Sequence, residues 1–412
     1  MELGFVHFST EERKRVFNAL ERLRDKGSID ELGIGRVRDA FADMMFPGIS
    51  TLQHHAKYFA VLPHLYNEVL QGHYRGPREV KEKVIELEIK LTRSLVEGSP
   101  ENTGGITGSK FVKAGSSKYV KYDPSYIYWT GLVAFGIMKE SGALYNMLYD
   151  YSCHDKPIKY RGKESEESQD GGLDDLGPDG YKAFFSCPHT CFNINKPMDI
   201  SLTEGESRFI KNRILTSDAT KNSLLAYFLM HDEIECPKNA GEDDFLSFDS
   251  SLIDNHGLRK QFDLARKFSR FIRPMHIRYN YIFADGCGDI DSADALESLF
   301  LENLDMASDV YNVETLNEIF KYLKSLGKDA GLDCFCSRIL ELTSLGMKND
   351  DFSKLDDYIA CREQEVKDKV RYKLRHPEAY KFDPGHLVHD HYLTYRWGTT
   401  WTMINEIREG LA

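Results

Sequence analysis

The chain has 412 residues, 41% of them hydrophobic and 12% aromatic, and a formal net charge of −12. That composition is globular and excludes a wholly disordered chain, which would be poorer in core-forming side chains. The negative balance argues against a protein that coats nucleic acid non-specifically, because that needs clustered Lys and Arg to neutralise phosphates.

Ser9-Thr10-Glu11-Glu12 reads as a capping box opening a first helix, with Val16, Leu20 and Leu23 at helical spacing and Gly27 ending it. An amphipathic run from Arg36 through Phe46 follows, broken by Pro47-Gly48. Ser50 then caps a second helix over 51–66, with Pro63 able to bend it. Two helices joined by a short glycine-containing turn give a helix-turn-helix outline. A third helix is expected over 78–96, and the Gly, Ser and Thr of 99–118 predict a loop. Within that loop, 111–113 and 119–121 flank Ala114-Gly115-Ser116-Ser117 and predict a small β-hairpin. Tyr126-Ile127-Tyr128-Trp129 leads into a helix reaching Met147.

Residues 163–179 hold seven acids against one lysine and predict a solvated linker. Residues 232–254 hold eight acids against one lysine, whereas the first 75 residues balance at ten acids and ten bases. Helices are then expected over 202–215, 221–230, 258–283 (kinked at Pro274), 292–311, 313–326, 332–345 and 355–374, ahead of an aromatic and basic tail. The fold class expected is mainly α. A helical N-terminal domain with the helix-turn-helix-like pair spans 1–98, and a central hairpin and helix section 99–160. An acidic linker fills 161–180 and a C-terminal helical bundle 181–412.

No stretch approaches the ~18 apolar residues of a membrane helix. The opening residues lack the basic and apolar regions of a signal peptide. Eight cysteines scattered without a disulfide framework predict reduced thiols, and so a cytoplasmic protein with no membrane partner.

The helix-turn-helix outline nominates Arg36 and Arg38 for DNA backbone, and Thr51, Gln53, His54 and Lys57 for base edges and phosphates. The competing reading packs Phe41, Met45, Leu52, Tyr58 and Phe59 into an ordinary helical corner. Tyr395, Arg396 and Trp397 are residue types that dominate partner-docking hot spots, or else Trp397 anchors the tail to the bundle. Cys187-Pro188-His189-Thr190-Cys191, with Cys153-His154, offers soft zinc ligands in an uncommon spacing, so free thiols in a loop are the preferred reading. His386-Leu387-Val388-His389-Asp390-His391 carries good metal donors without metallo-hydrolase spacing. Asp285–Asp291 fails the calcium-loop pattern and reads as a loop, with Asp291 or Ser292 capping the next helix. The glycine run 104–110 lacks the adjacent Lys-Ser/Thr of a P-loop. Glu363-Gln364-Glu365-Val366-Lys367 reads as i,i+4 pairing on a charged helix. No catalytic set, cofactor or metal is assigned.

Three stretches resemble a family of uncharacterised prokaryotic proteins. The first runs Phe8-Ser9, then Glu31 through Asp43, Phe46-Pro47-Gly48-Ile49-Ser50-Thr51, Gln53, and Ala56-Lys57-Tyr58-Phe59. The second is Pro124 through Leu132 with Gly136-Ile137. The third is Ala265 to Ser269, Arg278-Tyr279-Asn280 and Tyr395-Arg396-Trp397. The pattern carries Arg or a similar base where His55 stands here, and the Cys-Pro-His-Thr-Cys segment is not part of it. The resemblance implies encoding beside helicases and nucleases in anti-phage defence or DNA-modification gene clusters. The function expected is a non-catalytic accessory or scaffold subunit of such a complex, with helicase or nuclease subunits, and potentially double-stranded DNA, as partners. The alternatives are a stand-alone helix-turn-helix DNA-binding protein, and a metal-dependent nuclease using His386, His389, Asp390 or acids of the acidic stretches.

Overall fold

Fifteen α-helices and no strand occur among the described residues of the computed structural model, which are 30–113, 119–139, 142–153, 184–189, 192–237, 240–328, 331–367, 372–389 and 391–412. One isolated antiparallel bridge joins Met138 and Phe185. The expected helix after Ser9, the linker at 161–180, Cys191 and Asp390 lie outside the described residues.

The helices are α1 (Gly35–Met45), α2 (Lys57–Leu70), α3 (Pro77–Gly98), α4 (Ser109–Lys113), α5 (Pro124–Ala134), α6 (Leu144–Cys153), α7 (Glu204–Thr216) and α8 (Leu224–Met230). They continue with α9 (Glu242–Ser247), α10 (His256–Gly286), α11 (Ile290–Met306), α12 (Val313–Ser325), α13 (Asp333–Asn349), α14 (Ser353–Val366) and α15 (Trp397–Glu409). Two compact units divide the chain. The first comprises Ala40–Arg266 and Leu393–Ala412; the second comprises Met1–Asp39, of which the last ten residues are described, and Lys267–Tyr392. Each is assembled from two stretches of sequence.

In the first unit, α2 is the central element. Ten of its residues are buried, and it packs against α3, α5, α6 and α7. A helix apolar on nearly every side belongs inside a layer of other helices. It runs through Pro63 to Leu70. Gly48 and Gly131 let the chain close on it. A Cβ on Gly131 would stand 2.5 Å from the Phe59 ring and 2.7 Å from the Gly48 carbonyl oxygen, so a side chain there must displace backbone. Thr203 and Glu206 form a full capping box at the start of α7. At the chain end, Trp397, Trp401, Ile404 and Ile407 bury one face of α15, which packs against α7 and α8. Arg408 donates to the carbonyls of Phe228, His231 and Ile234, satisfying acceptors left open where α8 ends.

In the second unit, consecutive helices α12, α13 and α14 pack side by side. Glu31 and Glu363 flank the Lys367 ammonium, all three side chains being almost wholly buried. Arg362 donates to the Leu32 carbonyl at 3.0 Å, so the Glu31-Leu32-Gly33 turn is held against α14. The expected Glu363–Lys367 i,i+4 pair is therefore present, and it does more than solvate a helix face.

Three expected elements and one helix cap are corrected. The second helix of the helix-turn-helix outline starts at Lys57 rather than Thr51, because the amides before it are spent on other partners. Leu52 N–H donates to Ser50 Oγ, His54 and His55 N–H to the Tyr128 hydroxyl, and Ala56 N–H to the Glu406 carboxylate. The hairpin is absent among the described residues, and 111–113 end the short helix α4. Gly105 and Gly108 adopt positive φ and turn the preceding loop into that helix. The helix expected to reach Met147 stops at Ala134, where Gly136 (φ +64°) turns the chain. Asp289, rather than Asp291 or Ser292, caps α11 by accepting from Ser292 N–H at 3.1 Å.

Candidate functional site

The motif-dense segment 48–58 of the first unit gathers more side-chain chemistry than its sequence advertised. The Gln53 side chain is 1% exposed. Its amide nitrogen donates to the carbonyls of Gly48 and Ile127, and its amide oxygen accepts from Ser50 N–H at 3.1 Å. Gln53 thus supplies the hydrogen bonds that a helical turn would have made. Lys57, 3% exposed, donates to Glu206 Oε2 at 2.7 Å and to the Ser201 carbonyl at 3.0 Å. Glu206 in turn accepts from Thr203 N–H, so a single carboxylate caps α7 and neutralises a buried lysine.

His55 sits between two acceptors. Nδ1 lies 2.6 Å from Glu406 Oε1 on α15, and Nε2 lies 2.6 Å from the Gly104 carbonyl oxygen. Burial opposes the charged ring, but the bonds to Glu406 and Gly104 and the Glu406 charge outweigh it and hold the pKa above its ordinary value.

A second group lies between α3 and α5. Glu88 is fully buried and accepts from Ser125 N–H at 2.7 Å, while the Tyr119 hydroxyl approaches its other oxygen at 3.4 Å. Burial first, and then the Asp123 charge, push the Glu88 carboxyl up to about 8. Burial also raises Asp123, which caps α5 through Tyr126 N–H at 2.7 Å. Glu88 is therefore mostly protonated at neutral pH. Because its folded pKa lies above its unfolded value, the folded state binds the extra proton, and stability falls as pH rises from about 4.5 to about 8. Glu88→Gln should flatten that fall, which we expect to be on the order of 2 kcal/mol once local relaxation is allowed for. Urea midpoints measured across this range check it; an unchanged slope in the variant would assign the fall to other groups.

The remaining nominated residues divide sharply. Arg36, Thr51 and His54 are exposed; Arg38 is half-buried and paired with Asp39 at 3.0 Å. Gln53 and Lys57, expected to meet base edges, point inward, because the turn at 50–56 consumes one and the α7 capping box the other. Of the competing corner residues, Phe41, Met45, Tyr58 and Phe59 are buried and Leu52 is exposed. Tyr395 is buried and donates to the Ala265 carbonyl at 2.8 Å, Arg396 pairs with Asp43 at 2.7 Å, and Trp397 is 0% exposed. Tyr395 and Arg396 both have left-handed backbone, φ +53° and +69°, held there by these contacts. These contacts favour the reading in which the tail is anchored to its own unit.

In the second unit, His386 is exposed and bonds Asp383 at 2.7 Å. His389 stacks on the buried His276 with ring centroids 4.6 Å apart. In the first unit, Cys187 is a half-buried thiol pushed up to about 12 by burial, and His189 is exposed. Among the described residues no group of three or more His, Cys, Asp or Glu is arranged to hold a metal ion. Nor is any described helix long and apolar enough to cross a membrane.

Sequence reasoning missed His55, Glu88, Asp123 and Glu406. Only the Thr203-Glu204-Gly205-Glu206 capping pattern was readable for the partner of Lys57. No curated protein and no solved structure matches the chain. A family of unknown function (DUF6361) has a sequence model that matches residues 1–164, the stretch that contains Gln53, His55, Lys57, Glu88 and Asp123.

Proposed function

We propose that the chain is a non-catalytic accessory subunit of a prokaryotic anti-phage defence or DNA-processing complex, acting through contact with a helicase or nuclease subunit. The observation that carries this reading is where the segment 48–58 spends its chemistry. Gln53, His55 and Lys57 are bonded to Ile127, Glu406, Gly104, Ser201 and Glu206, so their polar atoms join distant parts of their own chain. A reacting group must meet a substrate or exchange a proton with it; side chains saturated by internal partners serve as scaffold. The gene-cluster setting that the resemblance implies supplies the kind of partner.

Purification of the tagged full chain from its native host tests the proposal. Stoichiometric recovery of a helicase or nuclease encoded beside it is the expected result, and recovery of the chain alone under gentle extraction would count against it.

Duplex binding is the second reading, favoured in the first unit by the exposure of Thr51 and His54. It predicts salt-dependent binding of the isolated protein that weakens in the Thr51→Ala and His54→Ala double variant.

A further inference from the structure

We propose that His55 is a proton-operated clasp, closing the glycine loop at 103–105 onto the 50–57 turn while its ring carries two protons and releasing the loop when one is lost. Both partners of the ring are acceptors. A backbone carbonyl has no hydrogen to give, so Nε2 must carry a proton to bond Gly104 at 2.6 Å. The Glu406 carboxylate bonds Ala56 N–H through its other oxygen, and Nδ1 must donate to it as well. Only the doubly protonated ring satisfies both bonds.

A neutral imidazole has one N–H and must abandon one acceptor. The bond to the charged carboxylate is the stronger and is kept. The Gly104 oxygen then faces a lone pair at contact distance, and the loop is pushed away while the proton passes to solvent.

The loop is shaped for this contact. Gly105 has φ +74°, and a Cβ there would come within 2.8 Å of His55 Nε2 and 2.6 Å of His54 Cβ. Further along, Thr107 N–H donates to the Tyr58 hydroxyl at 3.0 Å and its carbonyl accepts from Thr92, so the release is hinged at Thr107. The groups facing the turn are Glu406 from α15, Gly104 from the loop, the Tyr128 hydroxyl from α5 and the Tyr58 hydroxyl from α2. Neither hydroxyl titrates near neutrality, since burial raises both. A base whose folded pKa is raised holds its contribution below the unfolded value and loses it as pH rises through the folded one. The clasp therefore opens on the alkaline side of about pH 6.5.

Hydrogen exchange by mass spectrometry on the full chain, corrected for intrinsic rate, reads the clasp between about pH 5.5 and about pH 9. Peptides covering 102–108 should lose about tenfold in protection as pH rises, the worth of one buried hydrogen bond. His55→Arg, a permanent cation with several donors, should hold that protection across the range. His55→Gln should show weakened protection at every pH. Histidine NMR on the wild-type protein, with the His55 signal identified by its absence from the His55→Arg spectrum, should place that titration above the ordinary value. Flat wild-type protection, a His55 titration at or below the ordinary value, or a His55→Arg variant that opens as the wild type does would each overturn the clasp. The last outcome would move the switch to Glu88.

Discussion

Replacing Arg278 with Leu is expected to destabilise the protein by about 3–5 kcal/mol, the range found when one partner of a buried ion pair is removed. The Arg278 side chain is 4% exposed. Its guanidinium donates to both oxygens of Asp356, at 2.5 and 2.7 Å, and to Glu297. It also lies 4.0 Å from the Tyr281 ring centroid and near the rings of Phe300 and Phe352. Burial opposes its charge, yet the Asp356 bonds and the two carboxylates raise its pKa further. Leucine would suit the aromatic walls but leave Asp356, itself pushed up by burial, without its cation. Adding Asp356→Leu should return part of the loss, because it removes the more buried of the two carboxylates left without their cation, Glu297 being the other. Urea denaturation of the single and double variants measures both effects. A single-variant loss below about 1 kcal/mol would mean that the pair is solvated.

Trp397→Ala should cost about 3–5 kcal/mol, as deletion of a buried aromatic does. The ring is packed by Phe46, Phe228, Phe245, Phe248, Phe262 and Trp401, with centroids between 5.2 and 6.2 Å away. Four separate stretches of the first unit, around Phe46, Phe228, Phe245 with Phe248, and Phe262, meet on this indole. Its Nε1 has no hydrogen-bond partner among the described residues, so Trp397→Phe gives up no bond and should cost under about 1.5 kcal/mol. Thermal unfolding of both variants distinguishes the anchor from a docking residue. A docking tryptophan would weaken a partner's binding while leaving the midpoint of the isolated chain unchanged.

These two residues show where sequence was informative and where it stopped. The helix over Pro77–Gly98 was readable because proline opens it and apolar residues recur on one face, Val80, Val84, Leu87, Leu91 and Leu95. The same local signals misplaced the start of α2. Ser50 looks like a helix cap, but the hydroxyl of Tyr128 and the carboxylate of Glu406, 74 and 350 residues away, take the amides a helix would have used. A hydrogen bond of that range leaves no periodic trace. Lys57 and Gln53 likewise carry the composition of a contact surface, and only tertiary placement reveals them as internal braces. Trp397 is a case in which both the docking and the anchoring reading fitted the residue type. Six aromatic neighbours drawn from distant segments favour the anchor, and no local pattern in the sequence announces them.

The measurement that bears most directly on the accessory-subunit account is size-exclusion chromatography with light scattering on the full chain. It would be run alone, with a short DNA duplex at low and at physiological salt, and with the helicase or nuclease subunits encoded beside the gene. The account predicts a stoichiometric complex with one of those subunits that survives physiological salt, and no mass increase with duplex alone. A duplex complex that fades with salt, together with no complex with any neighbouring subunit, would contradict it and transfer the function to a phosphate-tracking surface.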